Sequence, residues 1–108
     1  MSSRSKGNKN ELRCQRELER DGFKVQRAGY RRFQQNDFFE LFDVMAIKPN
    51  ITLMVQIKSN QKPGKKVFDD IKEFAIAYKQ FRCAIWCWVD RKGWRKWEVM
   101  NEEFINLE

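Results

Sequence analysis

The sequence predicts an α/β fold: a mixed β-sheet of about five strands flanked by α-helices, in a single domain spanning residues 1–108. Three observations predict it. Two apolar, β-prone runs at 41–47 and 51–58 flank Lys48-Pro49-Asn50 and read as an antiparallel hairpin. A further run at 83–89 is apolar throughout, as a central strand should be. Between them, Val67, Ile71, Phe74, Ala75 and Tyr78 recur at the spacing of one helix face.

The elements follow in order. Residues 1–8 are rich in Ser, Arg, Lys, Gly and Asn and predict a flexible basic arm, one that reaches phosphates or is simply solvated. Residues 10–21 predict a helix, with Gly22 placed where a C-terminal cap belongs. At about 100° per residue, Leu18 lies about 20° from Glu11, Gln15 about 40° and Cys14 about 60°. Glu11 thus shares the side expected to face the core, although the helix dipole also favours an acid near a helix start. Residues 23–27 predict a short strand with Phe23, Val25 and Arg27 on one side. Residues 28–40 predict a loop of arginines, aromatics and amides. That mixture suits phosphate contact and base stacking, and it equally suits a loop that buries its Phe rings and exposes its arginines.

Within 51–58, Leu53, Val55 and Ile57 face one way, and Thr52, Met54, Gln56 and Lys58 the other. A polar loop with Pro63-Gly64 leads to the helix predicted over 67–81. Arg91-Lys92-Gly93 turns the chain after 83–89, and 94–100 form a last strand. Trp86, Trp88, Trp94 and Trp97 read as core, edge or dimer surface rather than as platforms for bases, with the tryptophan-rich C-terminal half as the expected dimer face.

Composition narrows the function classes. The formal net charge is +7 and the pI near 9.5, which points to a polyanionic partner, nucleic acid or an acidic membrane surface. No apolar run approaches a membrane-spanning length and nothing at the N-terminus resembles a signal peptide, so a cytoplasmic protein is expected. Cys14, Cys83 and Cys87 form no CxxC and no metal-ligand spacing, and there is no histidine. A disulfide scaffold and a zinc site are both disfavoured, and the thiols read as ordinary buried ones. Without histidine, hydrolysis must use carboxylates, lysine or a metal-bound water.

The chemistry concentrates where polar groups interrupt the apolar pattern. Asp43, Gln56 and Lys58 have no packing use in buried strands, and burying them costs desolvation unless they meet partners or a metal. Asp43 and Glu11 would supply carboxylates to a hard cation, Mg²⁺ or Mn²⁺; Gln56 would add an amide oxygen and Ile57 its backbone carbonyl. Lys58 would orient or help deprotonate the attacking water and counter charge building on a phosphate. The competing structural reading is a buried Asp43–Lys58 ion pair across the hairpin. Basic residues expected to meet DNA phosphates are Arg4, Lys6, Lys9, Arg27, Arg31, Arg32, Lys62, Lys65 and Lys66.

With these residues in place, the chain resembles the PD-(D/E)XK nuclease superfamily, and in particular the archaeal and viral Holliday junction resolvases. Lys6-Gly7-Asn8-Lys9-Asn10-Glu11 matches their KGxxxE opening; Asp43 stands for the motif aspartate and Gln56-Ile57-Lys58 for the (D/E)xK segment. The likeness runs over nearly the whole chain and implies a restriction-endonuclease-like core. It also implies a homodimeric, Mg²⁺- or Mn²⁺-dependent endonuclease acting on branched DNA in recombination or repair, with catalytic roles on Glu11, Asp43, Gln56 and Lys58. There are departures. Phe42, not proline, precedes Asp43, and Gln56 replaces the usual acid, as in the similar Mrr-type restriction nucleases. No serine follows Arg27 in Ala28-Gly29-Tyr30-Arg31. A less selective restriction, repair or phage DNA-processing nuclease, and a DNA-binding module with a decayed site, are the alternatives.

Overall fold

The computed structural model describes residues 3–107 except 29, 32, 33 and 36, with side chains described for 9–28 and 37–107. Helix α1 (Ser3–Arg20) leads to strand β1 (Lys24–Arg27). Two short strands follow, β2 (Tyr30–Arg31) and β3 (Gln34–Gln35), then the hairpin β4 (Val44–Lys48) and β5 (Ile51–Ser59). Helix α2 (Lys65–Ala77) precedes strands β6 (Phe81–Val89), β7 (Gly93–Met100) and β8 (Glu103–Asn106).

Six strands form one sheet in the order β1-β4-β5-β6-β7-β8. Every neighbouring pair is antiparallel except β5 and β6, which run parallel with Val55 opposite Ala84 and Lys58 opposite Cys87. Parallel neighbours need a crossover, and α2 provides it. The sheet is therefore mixed and flanked by helices, as expected, with one strand more than the five predicted.

Strand alternation divides the core into two layers. Leu53, Val55 and Ile57 of β5 join Val44, Ala46, Ala84 and Trp86 beneath Cys14 and Leu18 of α1. On the opposite face, Met54 joins Cys83, Ile85, Cys87 and Trp97 against Ile71 and Ala75 of α2. Covering on both faces is why β6 reads as an unbroken apolar run. All three cysteines are buried free thiols, and burial pushes the Cys83 thiol up to about 12. Among the described residues no helix is long and apolar enough to cross a membrane.

The end of α1 sets the angle at which the chain enters the sheet. Phe23 N–H donates to Leu18 C=O and Gly22 N–H to Glu19 C=O, both at 3.0 Å, with Gly22 at φ 93°. This is the paired closing of helix carbonyls that a left-handed residue permits. At the β4–β5 turn, Asn50 takes φ 66°, a conformation asparagine tolerates better than most residues.

Four expectations need correcting. Helix α1 begins at Ser3, so most of the stretch read as a basic arm lies in its first turns. The region read as a plain loop after β1 contains the antiparallel β2–β3 pair and an isolated bridge between Phe38 and Phe42. Helix α2 ends at Ala77, where Tyr78 leaves helical geometry (φ −122°, ψ 74°), so Phe81 opens β6 opposite Thr52 instead of closing the helix. Finally, the chain turns at Asn101 and Glu102, both at positive φ, into β8, an edge strand the sequence reading did not contain.

Candidate active site

Asp43 stands just before β4 and is only 6% exposed. Its backbone is held on both sides. Its N–H donates to Val55 C=O at 2.9 Å, and its C=O accepts from Ala28 N–H at 2.8 Å. Its side chain is held too, with Oδ2 accepting from the Ile57 backbone N–H at 2.8 Å. That bond fastens the carboxyl to the strand position between Gln56 and Lys58, both half-buried on β5.

The surroundings of Asp43 are acidic. Burial pushes its carboxyl up to about 7; the Ile57 amide opposes the rise, while Asp37 and Glu11 add to it. Glu11, half-buried on α1, is also raised, chiefly by burial. Arg27 at the end of β1 counters that shift and Asp37 reinforces it. Glu11, Arg27, Asp37 and Asp43 thus form one electrostatic neighbourhood fed by α1, β1 and the segment before β4. Among the described residues the Asp43 carboxyl is held by the Ile57 amide, so the expected Asp43–Lys58 ion pair is not what holds it.

Asp37 was missed by the sequence reading. Phe38 pairs antiparallel with Phe42, each N–H bonding the other's C=O at 2.8 and 3.0 Å. Antiparallel pairing sets the next residues outward, Asp37 and Asp43, opposite one another. Asp37 is one of the two acids whose proximity raises the Asp43 carboxyl. The sequence signal was the mirrored order Asp37-Phe38…Phe42-Asp43. It was masked because the turn runs through Phe39 (φ 54°) and Glu40 (φ 59°), residues that carry no turn signature.

The donors expected from the sequence, carboxylates with the Gln56 amide and the Ile57 carbonyl, are all oxygen. This suits a hard cation and no soft one. Among the described residues no three His, Cys, Asp or Glu side chains form a complete metal-ligand group. Mg²⁺ needs only one or two protein carboxylates and retains waters, so the donors present fit it.

The expected DNA-contacting residues are dispersed. Lys9 and Lys62 are exposed, and Lys62 Nζ lies 5.4 Å from the Phe68 ring centre and 5.5 Å from that of Trp97. Lys65 and Lys66 open α2 in ion pairs with Asp69 (3.3 Å) and Asp70 (2.7 Å), exposed pairs that compete little with a phosphate. The side chains of Arg4, Lys6 and Arg31, and all of Arg32, lie outside the described residues.

No protein-family model and no curated protein matches the chain. Solved structures do. Hjc, a Holliday junction resolvase from the archaeal hyperthermophile Archaeoglobus fulgidus, superposes with a TM-score of 0.62 at 19% identity, over 94% of this chain and 84% of that one. The fold is a restriction-endonuclease-like α/β core. At that identity the likeness carries the fold alone, and the site rests on the residues described above.

Proposed function

We propose that the protein is a divalent-metal-dependent DNA endonuclease that hydrolyses phosphodiester bonds, selective for branched DNA such as a four-way junction and acting as a homodimer. One observation carries the reading. The backbone amide of Ile57, the residue between Gln56 and Lys58 on β5, pins the buried Asp43 carboxyl, on a fold like that of a junction resolvase. Glu11, Asp43, the Gln56 amide oxygen and the Ile57 carbonyl would hold Mg²⁺ or Mn²⁺. Such a cation, when bound, would supply water activation and Lewis-acid stabilisation of the phosphate. Asp43, raised to about 7 chiefly by burial, would serve as a cation ligand in its deprotonated form. Lys58 directs the attacking water and neutralises charge developing on the phosphate oxygens. The net charge of +7 supports association with the DNA backbone.

Gln56 favours a second reading, a DNA-binding module with a decayed site, because it withdraws one negative charge from the donor set. Cleavage of a labelled four-way junction beside a linear duplex of equal length, in Mg²⁺, Mn²⁺ or EDTA, separates the readings. Paired nicks in the junction alone, lost in EDTA, are expected. Equal cutting of both substrates would remove the junction selectivity. Tight binding without cutting in any metal would favour the decayed site.

A further inference from the structure

Beside the candidate site, a buried amide clamps an arginine onto a tryptophan. Asn10 is only 3% exposed, unusual for an asparagine on a helix. Its Nδ2 donates to Ser59 Oγ, tying α1 to the end of β5. Its Oδ1 accepts from Arg13 Nη1 at 2.6 Å. The Arg13 guanidinium lies over Trp88, with Cζ 4.1 Å from the ring centre. Trp88 is itself braced. Trp94 meets it edge-on at 5.2 Å, and Asn60 N–H holds its backbone carbonyl at 2.7 Å.

Arginine stacked on an indole and pinned by an amide has already lost most of its rotamer freedom. Asn10 occupies one of the five guanidinium N–H donors, which leaves four in the plane of the group. Arg13 is exposed, and among the described residues no carboxylate pairs with it. Its neighbour Lys96 differs in this respect, being stacked on Trp86 but paired with Glu17. The clamp also adjoins the chemistry along both segments, since Asn10 precedes Glu11 and Ser59 follows Lys58.

We infer that Arg13, held over Trp88 and pinned by Asn10, is a preorganised binding residue for a backbone phosphate of DNA entering the candidate site. This rests on the nuclease reading for its choice of ligand, though not on catalysis. Asn10 positions it, and Trp88 supplies the surface on which it lies.

The test is binding, measured in EDTA so that cleavage plays no part, of a labelled four-way junction across a salt series. Arg13→Gln keeps a flat group able to stack and to meet Asn10, and removes only the charge. Arg13→Lys keeps the charge and loses the fork. For Arg13→Gln the expected result is about five- to tenfold weaker binding at low salt, with the slope of log affinity against log salt shallower by about 0.9, one phosphate contact. Arg13→Lys should bind more weakly than wild type while keeping its slope. Thermal melting of both variants reports folding separately. Wild-type affinity and slope in Arg13→Gln would overturn the inference and leave Arg13 as a structural clamp. Equal losses in both variants with an unchanged slope would do the same, as would a wild type that binds no DNA. A wild type that binds with the predicted Arg13 effect yet cuts nothing in any metal would sink the nuclease reading and leave this inference standing.

Discussion

Two buried acids in one sheet are treated in opposite ways. Glu98 on β7 is 4% exposed and meets the Arg82 guanidinium through two hydrogen bonds of 2.7 and 2.9 Å. Asp43 is nearly as buried, at 6%, but meets one backbone amide and two further acids. The first acid is neutralised by its partner, which is the ordinary condition for burying charge. The second has no such partner among the described residues; burial above all, and then Asp37 and Glu11, push its carboxyl up to about 7. A fold gains nothing from that arrangement. Perturbed acids of this kind cluster where a protein handles protons, cations or phosphates, so under the proposed function Glu98 is a structural acid and Asp43 a working one.

The contrast can be broken by removing each charge in turn. Asp43→Asn keeps an oxygen for the Ile57 amide and removes the buried charge. At pH 8 in EDTA it should stabilise the protein, on the order of 2–4 kcal/mol by urea unfolding. A loss of stability would show that Asp43 is structural after all. Glu98→Ala should act in reverse. It strands Arg82, which is half exposed, and should cost about 1–3 kcal/mol in the same assay. A neutral outcome there would erase the contrast from the other side.

The pH profile sharpens it further. Asp43 has a folded pKa above its unfolded value, so the native state holds the extra proton. Its contribution to stability is complete below about pH 4 and is lost as pH rises through about 7. Metal-free wild type should therefore weaken across that window more steeply than Asp43→Asn, read from urea midpoints at pH 5 and pH 8; parallel profiles would contradict it. The smallest expected effect is at Gln56. Gln56→Glu restores a carboxylate and should tighten Mg²⁺ or Mn²⁺ binding about tenfold by calorimetry. Unchanged or weaker affinity would mean that Gln56 does not face the cation.

Much of this was legible before the fold was known, for identifiable reasons. Asp43, Gln56 and Lys58 stood out because each breaks a strand pattern that is otherwise consistent, and the structure ties Asp43 to Ile57 between the other two. Cys14 and Leu18 marked the inward side of α1 because helical spacing is regular. Asp37 stayed hidden because its position depends on a turn through Phe39 and Glu40, whose positive φ values no local propensity announces. β8 was missed for the same reason at Asn101 and Glu102, where a hairpin would ordinarily signal itself with glycine. The Asn10–Arg13–Trp88 clamp joins α1 to β5 and β6, and no periodicity within one segment encodes a contact made between segments.

The central claim is that Asp43 is buried among acids in order to do chemistry. Single-turnover cleavage of a labelled four-way junction in Mg²⁺, by wild type, Asp43→Asn and Glu98→Gln, tests it most directly. The account predicts that Asp43→Asn stays folded and binds the junction but cuts it about 10²–10³-fold more slowly or not at all, while Glu98→Gln cuts within a few-fold of wild type. Comparable cutting by wild type and Asp43→Asn would contradict it.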